Sequence, residues 1–208
     1  MSDYNFKKKQ MGIGICHKVV FIGDSSVGKT SIINQYLYNS CSPEHSPTIG
    51  IDFFLKVIEE GEKSVRIQIW DTAGQEKFRA LIPSYIRNST VAILVYDITN
   101  RTSFDNIQKW RQNIIDTSDP HLILVGNKID LDSEREITKE EGELYAKQIN
   151  ADFIETSART PIGITDLFGI VADLPLPVIN ESETTSQQTT ITVVIDPPKP
   201  ADQSFCSC

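Results

Sequence analysis

No stretch of this chain approaches eighteen consecutive apolar residues, so the sequence offers no candidate helix for spanning a bilayer. Positive charge is short as well. The 20 Lys and Arg stand against 28 Asp and Glu, for a formal net charge of -8. That balance argues against a nucleic-acid binder, because affinity for a phosphate backbone needs clustered cations. A local anion site stays open, since backbone amides hold phosphate without net positive charge. Cysteine is scarce and poorly spaced for bridging: Cys16 and Cys41 lie far from Cys206 and Cys208, which fits a reducing compartment. The opening residues, MSDYNFKKKQMG, hold no apolar signal core, so secretion is not expected. What is present is a globular composition, 39% hydrophobic and 8% aromatic, over 208 residues. That is enough for one domain with tails.

From His17 to about Leu174, short β-branched runs (KVVFIG, FFLKVI, VRIQIW, VAILVY, LILVG, DFIET) alternate with stretches of helical spacing. The clearest helical stretches are KTSIINQYLYN, SFDNIQKWRQNIID and ITKEEGELYAKQI, and the last begins with a capping-box pattern, Thr138-x-x-Glu141. The alternation predicts the α/β class: a six-stranded, mostly parallel sheet with helices on both faces. VAILVY and LILVG are apolar without a period of two, as central buried strands should be. Glu60-Gly61-Glu62-Lys63 reads as a hairpin turn pairing FFLKVI with VRIQIW, which places one antiparallel strand in the sheet. Residues 1–15 read as a flexible N-terminal extension and 16–174 as the folded domain. Residues 175–208, rich in Pro, Ser and Thr, read as a tether. TITVVI within that tether is strand-like and leaves open packing on the domain or on a partner.

KVVFIGDSSVGKTS contains Gly23-x4-Gly28-Lys29-Thr30 between a strand and a helix. Glycines at this spacing permit a tight loop whose N–H groups converge on a phosphate at a helix N-terminus. Ser25, Ser26, Val27, Gly28, Lys29, Thr30 and Ser31 are therefore candidate nucleotide contacts. Lys29 would reach the β- and γ-phosphates, and the Thr30 hydroxyl would bind Mg²⁺. A chance glycine turn is the plainer reading, and the strand–loop–helix context weighs against it.

LILVGNKID places Asn127-Lys128-x-Asp130 just past a buried strand, where open α/β sheets bind ligands. Guanine shows N1–H and N2–H₂ along one edge, and the Asp130 carboxylate can accept both. Adenine shows a lone pair there, a mismatch costing roughly 1–3 kcal/mol or more. Asn127 would brace the loop, the Lys128 stem would lie along the ring, and the Ala158 amide in ETSAR, with Ser157 and Arg159 beside it, would face O6. In QIWDTAGQEKF, Asp71 can hold the Mg²⁺ shell, the Gly74 amide can meet a γ-phosphate, and Gln75 can orient the attacking water. Thr48 in SPTIG is a second Mg²⁺ and γ-phosphate contact. Singly, Thr48 and Gln75 are more often ordinary loop residues. Their order along the chain gives them weight.

These residues resemble the small GTPases, and within them the Rab branch. The resemblance rests on GDSSVGKT, TIGIDF, WDTAGQE, FRALIPSYIR, YDIT, GNKID and ETSA, in that order. LIPSYIR followed by STVAILVYDITN is most similar to the Golgi-associated subgroup. The resemblance implies a P-loop NTPase small G domain that hydrolyses GTP to GDP and phosphate with Mg²⁺. It implies a monomeric switch in vesicle trafficking, on the cytoplasmic face of Golgi membranes and cycling with the cytosol. Exchange-factor, activating and prenylation-escort proteins are the implied partners, with effectors received at Ile49, Phe53, Trp70 and Tyr85. Cys206 and Cys208 match the terminal Cys-x-Cys of many Rabs, whose thiols carry two geranylgeranyl groups. One lipid chain gives only marginal membrane binding, on the order of 10⁴ M⁻¹ for a myristoyl group. The tail offers Glu181, Glu183, Asp196 and Asp202 against one Lys199, so a polybasic second signal is missing and two lipids suit it better.

Some positions depart from the family pattern. Cys41 stands where an aromatic commonly packs on the base. Losing that contact implies faster nucleotide exchange, and GDP release from Cys41→Phe is expected to be about 2- to 10-fold slower than from the natural protein. His45 and Pro47 flank the switch segment in place of commoner residues, Arg159 replaces Lys, and Gly169 interrupts the last helical stretch. A second reading therefore stands beside the enzyme: a nucleotide-stabilised adaptor that recruits partners and barely turns over. Gln75 favours the first reading and Cys41 leaves room for the second. A P-loop ATPase or kinase is disfavoured by Asn127-Lys128-Asp130.

Overall fold

The β-branched runs become strands and the periodic stretches become helices, in the order β1 (Cys16–Ile22), α1 (Lys29–Tyr38), β2 (Ile51–Glu60), β3 (Lys63–Thr72), α2 (Ile82–Ile86), β4 (Val91–Asp97), α3 (Arg101–Asp105), α4 (Ile107–Ile115), β5 (His121–Asn127), α5 (Lys139–Gln148), β6 (Asp152–Thr156) and α6 (Ile164–Asp173). A 3₁₀ segment, Ile129–Glu134, follows β5. The computed structural model describes residues 16–40, 48, 50–60, 63–72 and 82–175. All of them belong to a unit spanning Met1–Pro177.

The six strands form one sheet in the order β2-β3-β1-β4-β5-β6. Every neighbouring pair is parallel except β2 and β3, which run antiparallel in a register from Ile51 opposite Thr72 to Glu60 opposite Lys63. This is the expected fold, one antiparallel strand included. β4 is buried along its whole length and β5 everywhere but its first residue. Helices cover both faces, as non-alternating strands require. On one face, Ile32 and Ile33 of α1 and Leu167, Phe168 and Val171 of α6 pack on Val19, Phe21, Ile67 and Ile69. On the other, Ile86, Phe104, Ile107, Trp110 and Ile114 meet Val20, Ile22, Leu94 and Tyr96. The chain leaves β1 toward β3 on one side and returns to β4 on the other. Loops at the C-terminal strand ends part around β1, the place where such sheets take ligands.

Two local readings need correction. The stretch SFDNIQKWRQNIID is not one helix: α3 and α4 are separated at Asn106, which keeps helical angles (φ −73°, ψ −14°). Only half of the capping box at α5 forms. Thr138 Oγ1 accepts from the Glu141 N–H at 3.2 Å. The Glu141 carboxylate instead takes two N–H donors from Arg101. A cation across the surface outcompetes the helix's own amide for that carboxylate.

Two helical glycines illustrate how context decides sign. Gly169 is exposed, and a Cβ there would meet nothing within 4 Å. A Cβ at Gly142 would lie 2.6 Å from the Tyr96 hydroxyl and 2.7 Å from Phe153 Cε2. Gly169→Ala should therefore gain up to about 1 kcal/mol and raise the melting midpoint by about 2–4 °C. Gly142→Ala should lose about 1–3 kcal/mol to overpacking despite its better helix propensity. Thermal melts of both variants check the pair.

Candidate functional site

The loop after β1 owes its path to glycine. Gly23 adopts φ +150° and a Cβ there would lie 2.2 Å from the Val95 carbonyl oxygen, so only glycine lets the loop pass so close to β4. Ser26 (φ +64°) and Gly28 (φ +96°) bend the loop back onto α1. Gly28 occupies the N-cap position and supplies no side-chain cap, which leaves the first-turn amides of α1 for an anion. Ser25 and Ser26 are exposed at the loop tip, Val27 is buried beneath it, and Ser31 is half-buried on α1.

Lys29 lies beneath this loop, 5% exposed, and its Nζ donates to the carbonyls of Gly23 (2.9 Å) and Asp24 (2.7 Å). Burial pulls its ammonium down to about 8, against the pull of Asp71 and Asp24. An ammonium so desolvated gains from a phosphate dianion brought against it.

Three oxygen-bearing side chains from separate elements meet beside the lysine. Thr30 Oγ1 donates to Asp71 Oδ2 at 2.5 Å and lies 2.8 Å from Thr48 Oγ1. Asp71 is fully buried, and its other oxygen, Oδ1, has no hydrogen-bond partner among the described residues. Burial raises its carboxyl to about 6, with the Thr30 hydroxyl and Lys29 opposing and Asp52 adding to the rise. A buried carboxylate oxygen with a spare lone pair, flanked by two hydroxyls, is a hard-oxygen donor set of the kind Mg²⁺ takes. The residues fit that ion.

The Asp71 shift has a testable consequence. The folded-state value lies above the ordinary 3.8, so the folded chain holds more protons between pH 3.8 and 6. Its contribution to stability is full below pH 3.8 and lost as pH rises through 6. In nucleotide- and metal-free protein at pH 7, Asp71→Asn should therefore raise stability by up to about 3 kcal/mol, and the gain should vanish below about pH 4. With Mg²⁺ and GDP present the order should reverse. Melting curves across pH, with and without Mg²⁺, decide it.

The base-side loop is anchored to the cradle itself. Asn127, 2% exposed at the end of β5, donates from Nδ2 to the Val27 carbonyl at 2.8 Å and accepts at Oδ1 from Thr156 Oγ1 at 3.1 Å. Lys128 follows with φ +71°, and its Nζ pairs with Asp97 Oδ2 at 2.6 Å. Asp130 Oδ1 accepts from Ser157 Oγ at 2.6 Å, and the same Ser157 oxygen accepts from the Thr160 N–H at 3.0 Å. Ala158 is buried beside it and Arg159 is exposed. Short polar links thus tie Thr30 to Thr48 and Asp71, Lys29 to Gly23 and Asp24, Asn127 to Val27 and Thr156, and Asp130 to Ser157.

Of the effector positions, Phe53 is 48% exposed, and its ring meets Trp70 edge-on at 5.2 Å. Tyr85 lies 6.2 Å from Trp70, so the three rings form one continuous apolar row. Gly74, Gln75, Ile49, Cys41, Cys206, Cys208 and the TITVVI segment lie outside the described residues.

Two contributors to the site were not singled out from the sequence. Asp97 in YDIT receives Lys128 and also accepts from the Thr99 N–H and hydroxyl. Asp24 accepts from Trp110 Nε1 and Asn106 Nδ2. Lys128 lies 31 residues from Asp97, and Asn106 and Trp110 lie 82 and 86 residues from Asp24, beyond any local spacing rule.

A family model described as the Ras family matches residues 18–174. The matched span holds the cradle, Thr48, Asp71 and the loops after β5 and β6, while residues 175–208 lie beyond it.

Proposed function

The chain belongs to the Ras family, so it is a small GTPase that binds guanine nucleotide as a switch, and from that premise we propose a Rab-type role in vesicle trafficking at Golgi membranes. The observation that carries the nucleotide half is the link from Asn127 to Val27, which makes the phosphate cradle and the base loop one unit. A ligand bridging the two loops must combine a phosphate with a base edge rich in donors for Asp130.

In this reading the α1 amides and Lys29 hold the β- and γ-phosphates, and Asp130 with the Ala158 amide holds the base. Thr30, Thr48 and Asp71 would hold Mg²⁺, which when bound neutralises charge on the phosphate oxygens. Gln75 orients the attacking water, and Gly74 with Thr48 contacts the terminal phosphate. Loss of that phosphate then frees the two segments that carry these residues. The row of Phe53, Trp70 and Tyr85, together with Ile49, receives effectors. Its edge-to-face rings leave apolar area exposed on the hairpin of β2 and β3.

The trafficking half rests on the motif order and on Cys206 and Cys208, which would carry two geranylgeranyl groups. Among the described residues no helix is long and apolar enough to cross a membrane, and the lipids would anchor the chain instead. Two measurements test the proposal. Single-turnover GTP hydrolysis should proceed slowly in the natural protein and fall at least about tenfold in Gln75→Leu; equal rates would favour the adaptor reading. Mass spectrometry of the C-terminal peptide from native cells should find two isoprenoids, and bare thiols would remove the membrane half.

A further inference from the structure

Asp24 is the second residue of the glycine-bounded loop, and both halves of it are held. Its carbonyl accepts from Lys29 Nζ at 2.7 Å, from within the loop. Its carboxylate faces the other way. Oδ1 accepts from Trp110 Nε1 at 2.7 Å and Oδ2 from Asn106 Nδ2 at 2.8 Å. Both donors belong to the helix layer on the face opposite α1 and α6. Asn106 is the residue at which the expected single helix divides into α3 and α4, and Trp110 is one turn further along. Trp110 is 1% exposed within the core of that face, so its indole N–H is a fixed donor. Lys109 Nζ in turn donates to Asn106 Oδ1 at 2.9 Å, which orients the amide with its Nδ2 toward Asp24. Two neutral donors converging on a carboxylate make short, charge-assisted bonds, stronger than a solvated loop contact.

We propose that Asp24 is a positioning residue for nucleotide retention: its clamp by Trp110 and Asn106 fixes the path of residues 25–28, and the α3–α4 layer thereby sets how long the nucleotide is held. The proposal rests on the guanine-nucleotide reading of the site. Asp24 sends its side chain away from the cradle, so it would act through the loop and not by touching the phosphate. The residues it steers, Ser26 and Gly28, carry positive φ and have few alternative conformations that keep their amides converged. Release of the carboxylate would let the loop relax from that bend while the sheet beneath stays in place. A layer remote from the phosphate thus gains a handle on exchange, and a partner pressing on α3 or α4 would change the dwell time without reaching the nucleotide.

The test uses the full chain loaded with Mg²⁺ and a fluorescent GDP analogue, chased with excess GTP. Asp24→Asn keeps one acceptor for the indole but turns an N–H₂ group against the Asn106 amide. Asn106→Asp sets two carboxylates face to face. Each should speed release by about tenfold or more. Made together, the two changes restore donor to acceptor with the charge moved across the contact, beside Lys109, and release should return to within about threefold of the natural rate. Trp110→Phe deletes the N–H donor and shrinks the buried indole to a single six-membered ring; it should speed release by about threefold or more, with the melting midpoint reporting the packing loss. Melting midpoints taken on the same samples separate lost folding from lost retention. If the natural protein retains GDP and the single variants release it within about twofold of that rate, or the paired change fails to recover it, the positioning role falls and the nucleotide reading survives. If the natural protein retains no GDP, both fall.

Discussion

Asp130→Asn should weaken GDP binding by about 10²- to 10⁴-fold and open the site to the xanthine nucleotide. The side chain lies in the first turn of the 3₁₀ segment after β5 and is oriented by one bond, Ser157 Oγ to Oδ1 at 2.6 Å. Asparagine can keep that bond through its own Oδ1. It cannot accept both the N1–H and the N2–H₂ of guanine, because its other arm is a donor. Each hydrogen bond to a charged acceptor contributes about 1.5–3 kcal/mol, and the two together span about 3–6 kcal/mol. Xanthine carries a carbonyl at C2 where guanine carries the amino group, so an acceptor beside a donor is its complement. Calorimetric titration of nucleotide-free protein with both diphosphates reads the exchange. The free protein should melt within about 2 °C of the natural one, since Asp130 is only half-buried and its Ser157 contact survives. A GDP affinity that stays within about tenfold would remove Asp130 as the base reader.

The sheet was legible because its signals are local. VAILVY and LILVG announce buried strands by lacking alternation; β4 is buried throughout and β5 everywhere but its first residue. The hairpin of β2 and β3 follows from FFLKVI and VRIQIW standing on either side of the turn residues Glu60-Gly61-Glu62-Lys63. The cradle and the Asn127 to Asp130 loop were legible for another reason: a phosphate and a purine edge each demand a fixed spacing of residue types. What escaped was tertiary. The division at Asn106 leaves no mark in a helical pattern, because Asn106 itself keeps helical angles. The Glu141 carboxylate obeys the capping rule in sequence and is taken by Arg101 from 40 residues away. Asp24 sits inside a motif whose variable positions carry no spacing rule, so its grip on Trp110 and Asn106 was invisible until the helices were placed. Asp97 escaped in the same way, as an unremarkable strand end that meets Lys128 only after folding.

The link between the two loops makes Gly28→Ala damaging to both of them at once. At φ +96° an L-residue is strained, at a cost of about 1–3 kcal/mol. The added methyl would also stand 2.3 Å from Asn127 Nδ2, a distance that forces the amide aside. Moving Asn127 breaks its bond to the Val27 carbonyl and its bond from Thr156, both within the buried end of β5. Cradle and base loop are therefore displaced by one methyl group, and GDP affinity should fall by about 10³-fold or more, since each buried bond lost costs about 1–3 kcal/mol. Asn127→Ala separates the two causes. Combined with Gly28→Ala it removes the atom that the methyl strikes, so the melting midpoint of the nucleotide-free double variant should lie above the sum of the single losses. Its GDP affinity should stay low, because the bracing amide is gone. Strict additivity of the two midpoint losses would mean that Gly28 and Asn127 are not in contact in solution, and that the two loops bind their ligand independently.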